Sequence, residues 1–248
     1  MKRRILLAVP LVAFCLQEVT AHTAPQSDPE AVALMSQVVA TYRSLSSYRD
    51  RGRSVQTLKA YPTEKDPSTT VIDFTTVFKR PDKFQFSWTS TENYGDGPYS
   101  DKSAIWSDGS DGSKAWGSYP YDKNVPVVEE SFSMAVAGAT GVSQGTAHEI
   151  FRLLTDKVGG FRVDQLRGLK IVCSEMISGV DTYVVHGHID GVSQDLWIGK
   201  QDHLIRKGAE TQSDGNSQIF ERIDIVANQD IPDADFTPGA EFIRKKRP

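Results

Sequence analysis

Two histidines are the first residues whose type and spacing could support chemistry. His186 and His188 stand in a stretch of alternating residues, and a β-strand would place both imidazoles on one face, about 7 Å apart. That separation can bring two ligands to one metal ion. A third ligand would have to come from Asp190, His148 or His203, none of which has a diagnostic spacing. We therefore interpret the pair as outward-facing polar residues and expect neither a metal nor a cofactor.

Cys173 is the second candidate for chemistry, as a nucleophile. A thiol nucleophile needs a neighbouring base, and the sequence identifies none. The other cysteine, Cys15, lies in the N-terminal apolar segment, so an exported product that has lost this segment cannot form an intrachain disulfide. We interpret Cys173 as a small buried thiol within a strand.

The composition is that of a folded globular protein. Hydrophobic residues make up 39% of the 248 residues and charged residues 24%, which excludes a chain that is disordered as a whole. The formal net charge is −4. Because a nucleic-acid-binding domain needs a basic surface, no nucleic-acid partner is expected.

The N-terminus predicts a secretory signal peptide over residues 1–21. Three basic residues at 2–4 precede an apolar run over 5–16, and the small-residue exit Val19-Thr20-Ala21 follows. The apolar run has roughly 12 residues, whereas a membrane-spanning helix needs about 20, so an uncleaved anchor is the weaker alternative. We expect cleavage after Ala21, with Ala24 as the second choice. The product would be a single domain over 22–248, located in the periplasm.

Hydrophobic spacing predicts a mainly β protein of the α+β class. A capping-box pattern at Ser27 and Glu30 starts a helix over about 28–46, and a second helix starts at 146–149 and runs through Leu154 and Val158. Period-two alternation marks strands over 70–79, 83–90, 103–107, 114–121, 169–177, 182–189, 193–198, 203–210 and 217–227. A sheet of about ten antiparallel strands twists until it curls or closes, so we expect a partial barrel.

One face of two neighbouring strands is strongly aromatic. If these strands pair across the turn at 80–82, their apolar residues converge into one wall, which later strands could extend. A packed core is the plain interpretation of such a wall, but the shortage of covering helices favours a partly empty apolar pocket. The predicted wall consists of Ile72, Phe74, Phe78, Phe84, Phe86 and Trp88, with Trp106 and Trp116 extending it.

Short motifs stand along the chain in a particular order. They are FKRPDKF at 78–84, IWSDG at 105–109, KAW at 114–116, DLWIG at 195–199, FERIDI at 220–225 and FTP at 236–238. Their order resembles the LolA-like, LolB-like and RseB-like superfamily of periplasmic lipoprotein- and lipid-binding proteins, over about 28–243. The resemblance implies an unclosed half-barrel of about 10–11 antiparallel strands. It also implies a leading helix and helical lid segments over a hydrophobic cavity that takes acyl chains.

The resemblance further implies a latch for the lid. In the family's carrier, the Arg of the Lys-Arg-Pro motif holds the lid shut by hydrogen bonds to lid carbonyl oxygens, and the matching residue here is Arg80. The matching cavity residue is Phe84. We place the lid over 132–142, with Phe132 and Met134, and expect Arg80 to bond there. The alternative is a rim residue that pairs with Asp82 or Glu92.

These observations predict an exported soluble carrier rather than an enzyme. It would bind a lipid, or the acyl chains of a lipoprotein, in the half-barrel cavity and carry it across the periplasm. Membrane-associated donor and acceptor proteins are the expected partners, and the protein is expected to be a monomer. One alternative is a periplasmic sensor of lipidated or misfolded envelope proteins. The least favoured alternative is a hydrolase that uses His186, His188 or Cys173.

Overall fold

The computed structural model describes residues 26–59, 67–93, 102–118, 127–129, 131–160 and 163–237. The predicted signal peptide at 1–21 lies outside these residues. Within them, no helix is long and apolar enough to cross a membrane. The helices are α1 (Pro29–Ser44), α2 (Phe132–Val142) and α3 (His148–Leu154), and two short 3₁₀ helices span Val163–Gln165 and Asp233–Phe236.

The strands form one antiparallel sheet in the described part of the chain. In chain order they are β1 (Ser47–Leu58), β2 (Ser68–Lys79), β3 (Lys83–Asn93), β4 (Lys102–Asp111), β5 (Ala115–Ser118), β6 (Val127–Glu129), β7 (Arg167–Ile177), β8 (Val180–Ile189), β9 (Val192–Gly199), β10 (Ile205–Gln212) and β11 (Ser217–Ala227).

The order of the strands shows how the sheet is built. It runs β6-β5-β4-β3-β2-β1-β11-β10-β9-β8-β7, so two meanders meet where β1 pairs with β11. The first and last strands of this order, β6 and β7, are not paired with each other, and the sheet is not closed into a barrel. The predicted open half-barrel of 10–11 antiparallel strands is confirmed.

The leading helix α1 lies within the predicted range of about 28–46, but its capping residue is Asp28 and not the predicted Ser27, whose hydroxyl accepts a hydrogen bond from the backbone N–H of Leu169. Asp28 caps it by accepting a hydrogen bond from the backbone N–H of Glu30, at 3.2 Å, and Pro29 fits the first turn. The hydroxyl of Tyr42 accepts a hydrogen bond from the backbone N–H of Ile205, at 3.1 Å, which ties the helix to β10. One face of α1 is buried in the core through Ala31, Leu34, Met35, Val38 and Tyr42.

Three elements differ from the sequence-based prediction. Strands β1 and β6 were not predicted, and β1 is central to the sheet. The second predicted helix ends at Leu154 rather than continuing to Val158. It ends there because Thr155 leaves the helical conformation and its hydroxyl accepts a hydrogen bond from the backbone N–H of Lys157, at 3.2 Å.

Candidate functional site

The predicted aromatic wall forms on the inner face of β2 and β3. Phe74 pairs with Trp88, and Phe78 pairs with Phe84. Because directly paired residues of antiparallel strands share a face, these side chains lie together. The six wall residues of these two strands are at most 4% exposed: Ile72, Phe74, Phe78, Phe84, Phe86 and Trp88.

Two helices cover this wall with aromatic side chains of their own. The ring of Phe84 lies 4.8 Å from that of Phe132 on α2 and 4.9 Å from that of Phe151 on α3, both in edge-to-face geometry. Phe86 contacts Phe74 on the sheet at 5.6 Å and Phe151 at 6.4 Å. In this conformation, therefore, α2 and α3 cover the part of the wall around Phe84 and Phe86.

The two predicted lid residues have opposite surroundings. Phe132 is partly buried and packs against the core, whereas Met134 is 50% exposed. Helix α2 is capped by Ser131, whose hydroxyl accepts a hydrogen bond from the backbone N–H of Met134 at 3.3 Å. The segment 132–142 is thus a capped helix with an apolar inner side and an exposed, uncharged outer side.

Arg80 bonds to helix carbonyl oxygens, but not to those predicted. Its guanidinium donates to the carbonyl oxygens of Leu45 at 2.6 Å, Arg43 at 2.6 Å and Leu154 at 2.9 Å. Among the described residues, its partners lie at the C-terminal ends of α1 and α3, so the prediction of bonds to 132–142 is wrong. These carbonyls are available because the last turn of a helix leaves its carbonyls without helical partners. The alternative partner Asp82 instead accepts from Lys157, at 2.7 Å.

Trp116 does not extend the inner wall. It pairs with Gly109, whereas Ala115, next to it, pairs with Ser110 opposite Phe84. Since neighbouring residues in a strand point to opposite faces, Trp116 lies on the outer face, and the prediction for it is wrong. There it packs so closely that a Cβ on Gly109 would lie 2.4 Å from the Trp116 ring.

The last predicted wall residue, Trp106, lies in β4. It pairs with Trp88 in the register of β3 and β4. Its side chain lies outside the described residues, so its place in the wall stays a prediction.

The inner surface also carries a buried ion pair, which the sequence analysis missed. Arg222 donates to Oδ2 of Asp50 at 2.6 Å, and the hydroxyl of Tyr48 donates to the same oxygen at 2.6 Å. All three residues are 0–1% exposed. The Arg222 guanidinium lies over the ring of Phe74, 4.9 Å from its centroid. Gly52 permits this packing, since a Cβ there would lie 2.3 Å from the same ring.

Burial and charge fix the protonation of this cluster. Burial raises the pKa of Tyr48 well above its ordinary value, and the charge of Asp50 raises it further. Burial by itself would lower the pKa of Arg222, but Asp50, Tyr48 and Glu149 together outweigh burial and raise it. Burial also raises the pKa of Tyr42, to about 12. The Arg222 guanidinium therefore stays charged and the phenols of Tyr42 and Tyr48 stay neutral at pH 7.

The histidines and the cysteine that could support chemistry lie on β8 and β7, away from the aromatic wall. Nδ1 of His186 is 2.7 Å from Oδ1 of Asp195, its partner on β9, and His188 shares the outer face of β8. Within the described residues, no group of three or more His, Cys, Asp or Glu side chains could hold a metal ion. Cys173 is exposed, so its interpretation as a buried thiol is wrong. The reason is that β7 is an edge strand whose second half is largely uncovered.

A nucleophile motif was overlooked in the sequence. Residues 141–145 read Gly-Val-Ser-Gln-Gly, which matches the Gly-x-Ser-x-Gly pattern of hydrolases. That pattern needs an exposed serine on a turn between a strand and a helix. Here Ser143 follows helix α2, is 0% exposed and accepts a hydrogen bond from the backbone N–H of Ala147. The structure therefore assigns Ser143 a role in the turn between α2 and α3.

The outer face of the sheet carries a groove of about 510 Å³ around the middle of β1, β2, β3 and β11. Its rim includes two pairs of opposite charge. Arg53 donates to Asp73 at 2.6 Å, and Arg51 donates to Asp224 at 2.8 Å. The outer face at the centre of the sheet thus combines charged pairs with exposed apolar residues such as Ile223.

Comparison with solved structures finds similar folds at low sequence identity. LprF from Mycobacterium bovis is 11% identical, with a TM-score of 0.48, over 85% of this chain and 97% of LprF. MucB is 11% identical, with a TM-score of 0.44, over 86% of this chain and 64% of MucB, which is less than two thirds of its length. The LolA superfamily protein NE2245 from Nitrosomonas europaea is 12% identical, with a TM-score of 0.27, over 84% of this chain and 97% of NE2245. No protein-family model and no curated protein matches the sequence.

The fold and the site define a class of architecture. It is an open antiparallel half-barrel with an aromatic inner wall that is covered by helices. One of the solved structures found by the comparison, NE2245, is described as a LolA superfamily protein. This likeness concerns the fold, and the ligand has to be argued from the residues of this chain.

Proposed function

We propose that the protein is an exported carrier that binds a lipid, or the acyl chains of a lipoprotein, in the concave interior of the half-barrel. The observation that carries the proposal is the wall around Phe84, which is closed by side-chain contacts from α2 and α3. An acyl chain needs an apolar surface that excludes water. For a ligand to enter, the interior must open, and in this proposal the covering helices α2 and α3 move away while the sheet stays intact.

The construction of α2 supports such an opening. Between its cap at Ser131 and its end at Val142 the helix has no charged residue. Apart from the partly buried Phe132, its buried side chains are the small residues Ala135, Val136 and Ala139. Small side chains bury little apolar area, so each contributes little to holding the helix on the sheet. We therefore expect helix α2 to leave at a lower free energy than the central strands of the sheet.

Export and delivery are parts of the same proposal. Export rests on the signal peptide predicted over 1–21. Delivery across the periplasm would require a donor and an acceptor at the two membranes, and a monomer is sufficient to carry one ligand. The outer face of α2, with Met134 at 50% and Val142 at 38% exposure, is the surface that such a partner would meet if it acts on the lid.

The first experiment asks what the protein carries. The mature protein is purified in its native state, extracted with organic solvent and analysed by mass spectrometry, and the delipidated protein is titrated with an apolar fluorescent probe. We expect a bound lipid in the extract and saturable probe binding well below the melting transition. An empty extract, with probe signal only near the melting transition, would overturn the proposal.

A matched pair of variants tests where the probe binds. Phe84→Ala and Trp116→Ala each remove a buried aromatic ring, one on the inner face and one on the outer face. Both should lower the free energy of unfolding by about 3 to 5 kcal/mol. Only Phe84→Ala should weaken probe binding, by about tenfold, because it removes apolar contacts worth about 1.4 kcal/mol. Equal effects on binding would show that the probe does not lie against the inner wall.

A further inference from the structure

A small polar pocket opens into the half of the interior formed by β9, β10 and β11. Its volume is about 170 Å³, several times the ~30 Å³ that one water molecule occupies. Helix α3 and the preceding turn form the opposite side. The pocket is lined by Gly145, His148, Glu149, Val163, Gln194, Glu210 and Gln218.

The floor of the pocket is a row of three polar side chains in register. Glu210 pairs with Gln194 on one side and with Gln218 on the other. The amide of Gln194, which is 1% exposed, donates to Oε1 of Glu210 at 2.8 Å. The amide of Gln218 donates to the hydroxyl of Ser54 at 2.9 Å. The amide donors are thus committed to acceptors of the protein itself.

Glu149 provides an acceptor without a partner. Its Oε2 exposes less than 1 Å² and has no hydrogen-bond partner among the described residues. A buried polar atom without a partner costs free energy, so such atoms are expected to have a function. Burial raises the pKa of Glu149 well above its ordinary value, the charge of Glu210 raises it further, and Arg222 opposes this. Burial also raises the pKa of Glu210.

The cationic groups near the pocket do not satisfy these carboxyls. Arg222 is paired with Asp50 at 2.6 Å. Burial lowers the pKa of His148, so its ring is neutral at pH 7, and its Nε2 lies 2.9 Å from the carbonyl oxygen of Gly159. The Oε2 atom of Glu149 is therefore a carboxyl oxygen in the pocket that no described residue satisfies.

The pocket adjoins the apolar interior. Two residues further along the same strands, and therefore on the same face, lie Leu196, Gly208 and Phe220. Leu196 and Phe220 are at most 1% exposed and belong to the same core cluster as Phe84. Val163 belongs to this cluster and also lines the pocket. A molecule could thus place a polar head in the pocket and a hydrocarbon chain along the core.

We propose that this pocket binds the primary ammonium head of an amphiphile, with Glu149 and Glu210 as its acceptors. This inference rests on the proposed function, since it places the chain of the same ligand in the apolar interior. An ammonium group supplies N–H donors and a positive charge, which match an unpartnered carboxylate oxygen. A metal ion is a poorer match, because no group of three or more metal-ligating side chains is found in the described residues.

Binding of an ammonium head should change the protonation of the Glu149 carboxyl. The groups that act on the Glu149 carboxyl are Glu210 from β10 and Arg222 from β11. Where the empty protein holds Glu149 protonated, binding of the ammonium ionises the carboxyl and releases its proton to solvent. Affinity should therefore rise with pH until Glu149 is ionised in the empty protein as well.

The test compares four molecules with the same chain: dodecylammonium, dodecyltrimethylammonium, dodecanol and dodecanoate. Each is titrated calorimetrically into the delipidated mature protein, in two buffers of different ionisation enthalpy, so that proton release is measured directly. We expect dodecylammonium to bind at least tenfold more tightly than dodecanol and to release protons. Dodecyltrimethylammonium, which has the charge but no N–H donor, should bind more weakly than dodecylammonium, and dodecanoate should be the weakest.

Variants of the two pocket carboxyls test whether they cause the tighter binding of dodecylammonium. Glu149→Gln should reduce the advantage of dodecylammonium over dodecanol by at least tenfold while leaving dodecanol binding within twofold, and Glu210→Gln should act in the same direction. Glu221→Gln, an exposed carboxylate on the outer face of β11, is the control and should change nothing. Equal binding of amine and alcohol by the wild-type protein would overturn the inference and leave the proposed function standing. A preference that survives both pocket variants would overturn it as well, and binding of no chain at all would overturn both proposals.

Discussion

The guanidinium of Arg80, on the turn side of β2, donates to the carbonyl oxygen of Leu154 over 2.9 Å. Leu154 is the last residue of α3. The same guanidinium donates to Arg43 and Leu45 at the end of α1. One side chain thus joins the ends of two helices to the sheet, and α3 carries the Phe151 ring that covers Phe84.

Removal of this side chain should loosen α3. We expect Arg80→Leu to speed hydrogen exchange in α3 (His148–Leu154) and in the last turn of α1, with the sheet unchanged. The lost charged hydrogen bonds are worth about 1.5 to 3 kcal/mol, which corresponds to roughly a 10- to 150-fold change in the opening equilibrium. Hydrogen exchange followed by mass spectrometry measures this directly.

The control for Arg80→Leu is Arg53→Leu. Arg53 lies on β1 and pairs with the exposed Asp73, and its loss should change stability by no more than about 0.5 kcal/mol. Protection of α3 that stays at the wild-type level in Arg80→Leu would contradict the role given to Arg80.

The buried ion pair between Asp50 and Arg222 gives a second prediction. Asp50→Asn leaves the Arg222 guanidinium buried without its carboxylate and should lower the free energy of unfolding by about 3 to 5 kcal/mol. The double variant Asp50→Asn, Arg222→Met should recover part of this loss, because it removes the uncompensated charge. Urea denaturation of both variants measures the two effects.

The exposed pair of Arg53 and Asp73 provides the comparison for the buried pair. Asp73→Asn should cost less than about 1 kcal/mol, since exposed ion pairs contribute little. If Asp50→Asn were as mild as Asp73→Asn, the buried pair would not hold β1 and β11 together in the way that the geometry indicates.

The inner wall could be predicted from sequence, whereas the strand at the centre of the sheet could not. In β2 and β3, large apolar residues alternate with polar ones, so the period of two is visible. In β1 the inner face carries Tyr48, Asp50 and Ser54, and the outer face carries Arg49, Arg51 and Arg53. Both faces are polar, so no hydrophobic alternation marks the strand.

The buried charged residues could not be predicted from sequence for a related reason. Asp50 and Arg222 are charged types, which are usually exposed, and only their pairing between β1 and β11 explains their burial. Nothing local in the sequence marks Glu149 as a residue with a buried, unpartnered oxygen. The motif predicted that Arg80 bonds to helix carbonyl oxygens, but its actual acceptors, such as Leu154, are far away in sequence and could not be predicted. For Trp116, the side of the sheet depends on register, and a shift of one residue reverses the face.

A buried hydroxyl on β2 gives a third prediction. Thr76 faces the interior, is 1% exposed, and its Oγ1 has no hydrogen-bond partner in the described part of the chain. Thr76→Val keeps the shape and removes the unpaired hydroxyl, so the free energy of unfolding should rise by about 1 kcal/mol. Thr75→Val, on the outer face of the same strand, should have little effect. Thermal unfolding of both variants provides the measurement, and a destabilised Thr76→Val would show that the hydroxyl has a partner.

The pH dependence of stability gives the last prediction. The pKa of Glu149 and that of Glu210 are raised in the folded protein above the ordinary value of 4.5. Between the unfolded and folded pKa values, the folded protein binds more protons than the unfolded chain, so the stabilisation is present below about pH 4.5 and is lost as pH rises through the raised pKa values. For each coupled proton, the free energy of unfolding falls by up to about 1.4 kcal/mol per pH unit. Glu149→Gln should flatten this fall, so the variant becomes the more stable protein at the alkaline end, whereas Glu221→Gln should follow the wild-type curve. Urea denaturation at a series of pH values, read as the difference between each variant and the wild type, isolates the contribution of this carboxyl. Parallel curves for Glu149→Gln and the wild type would mean that folding does not shift the pKa of Glu149.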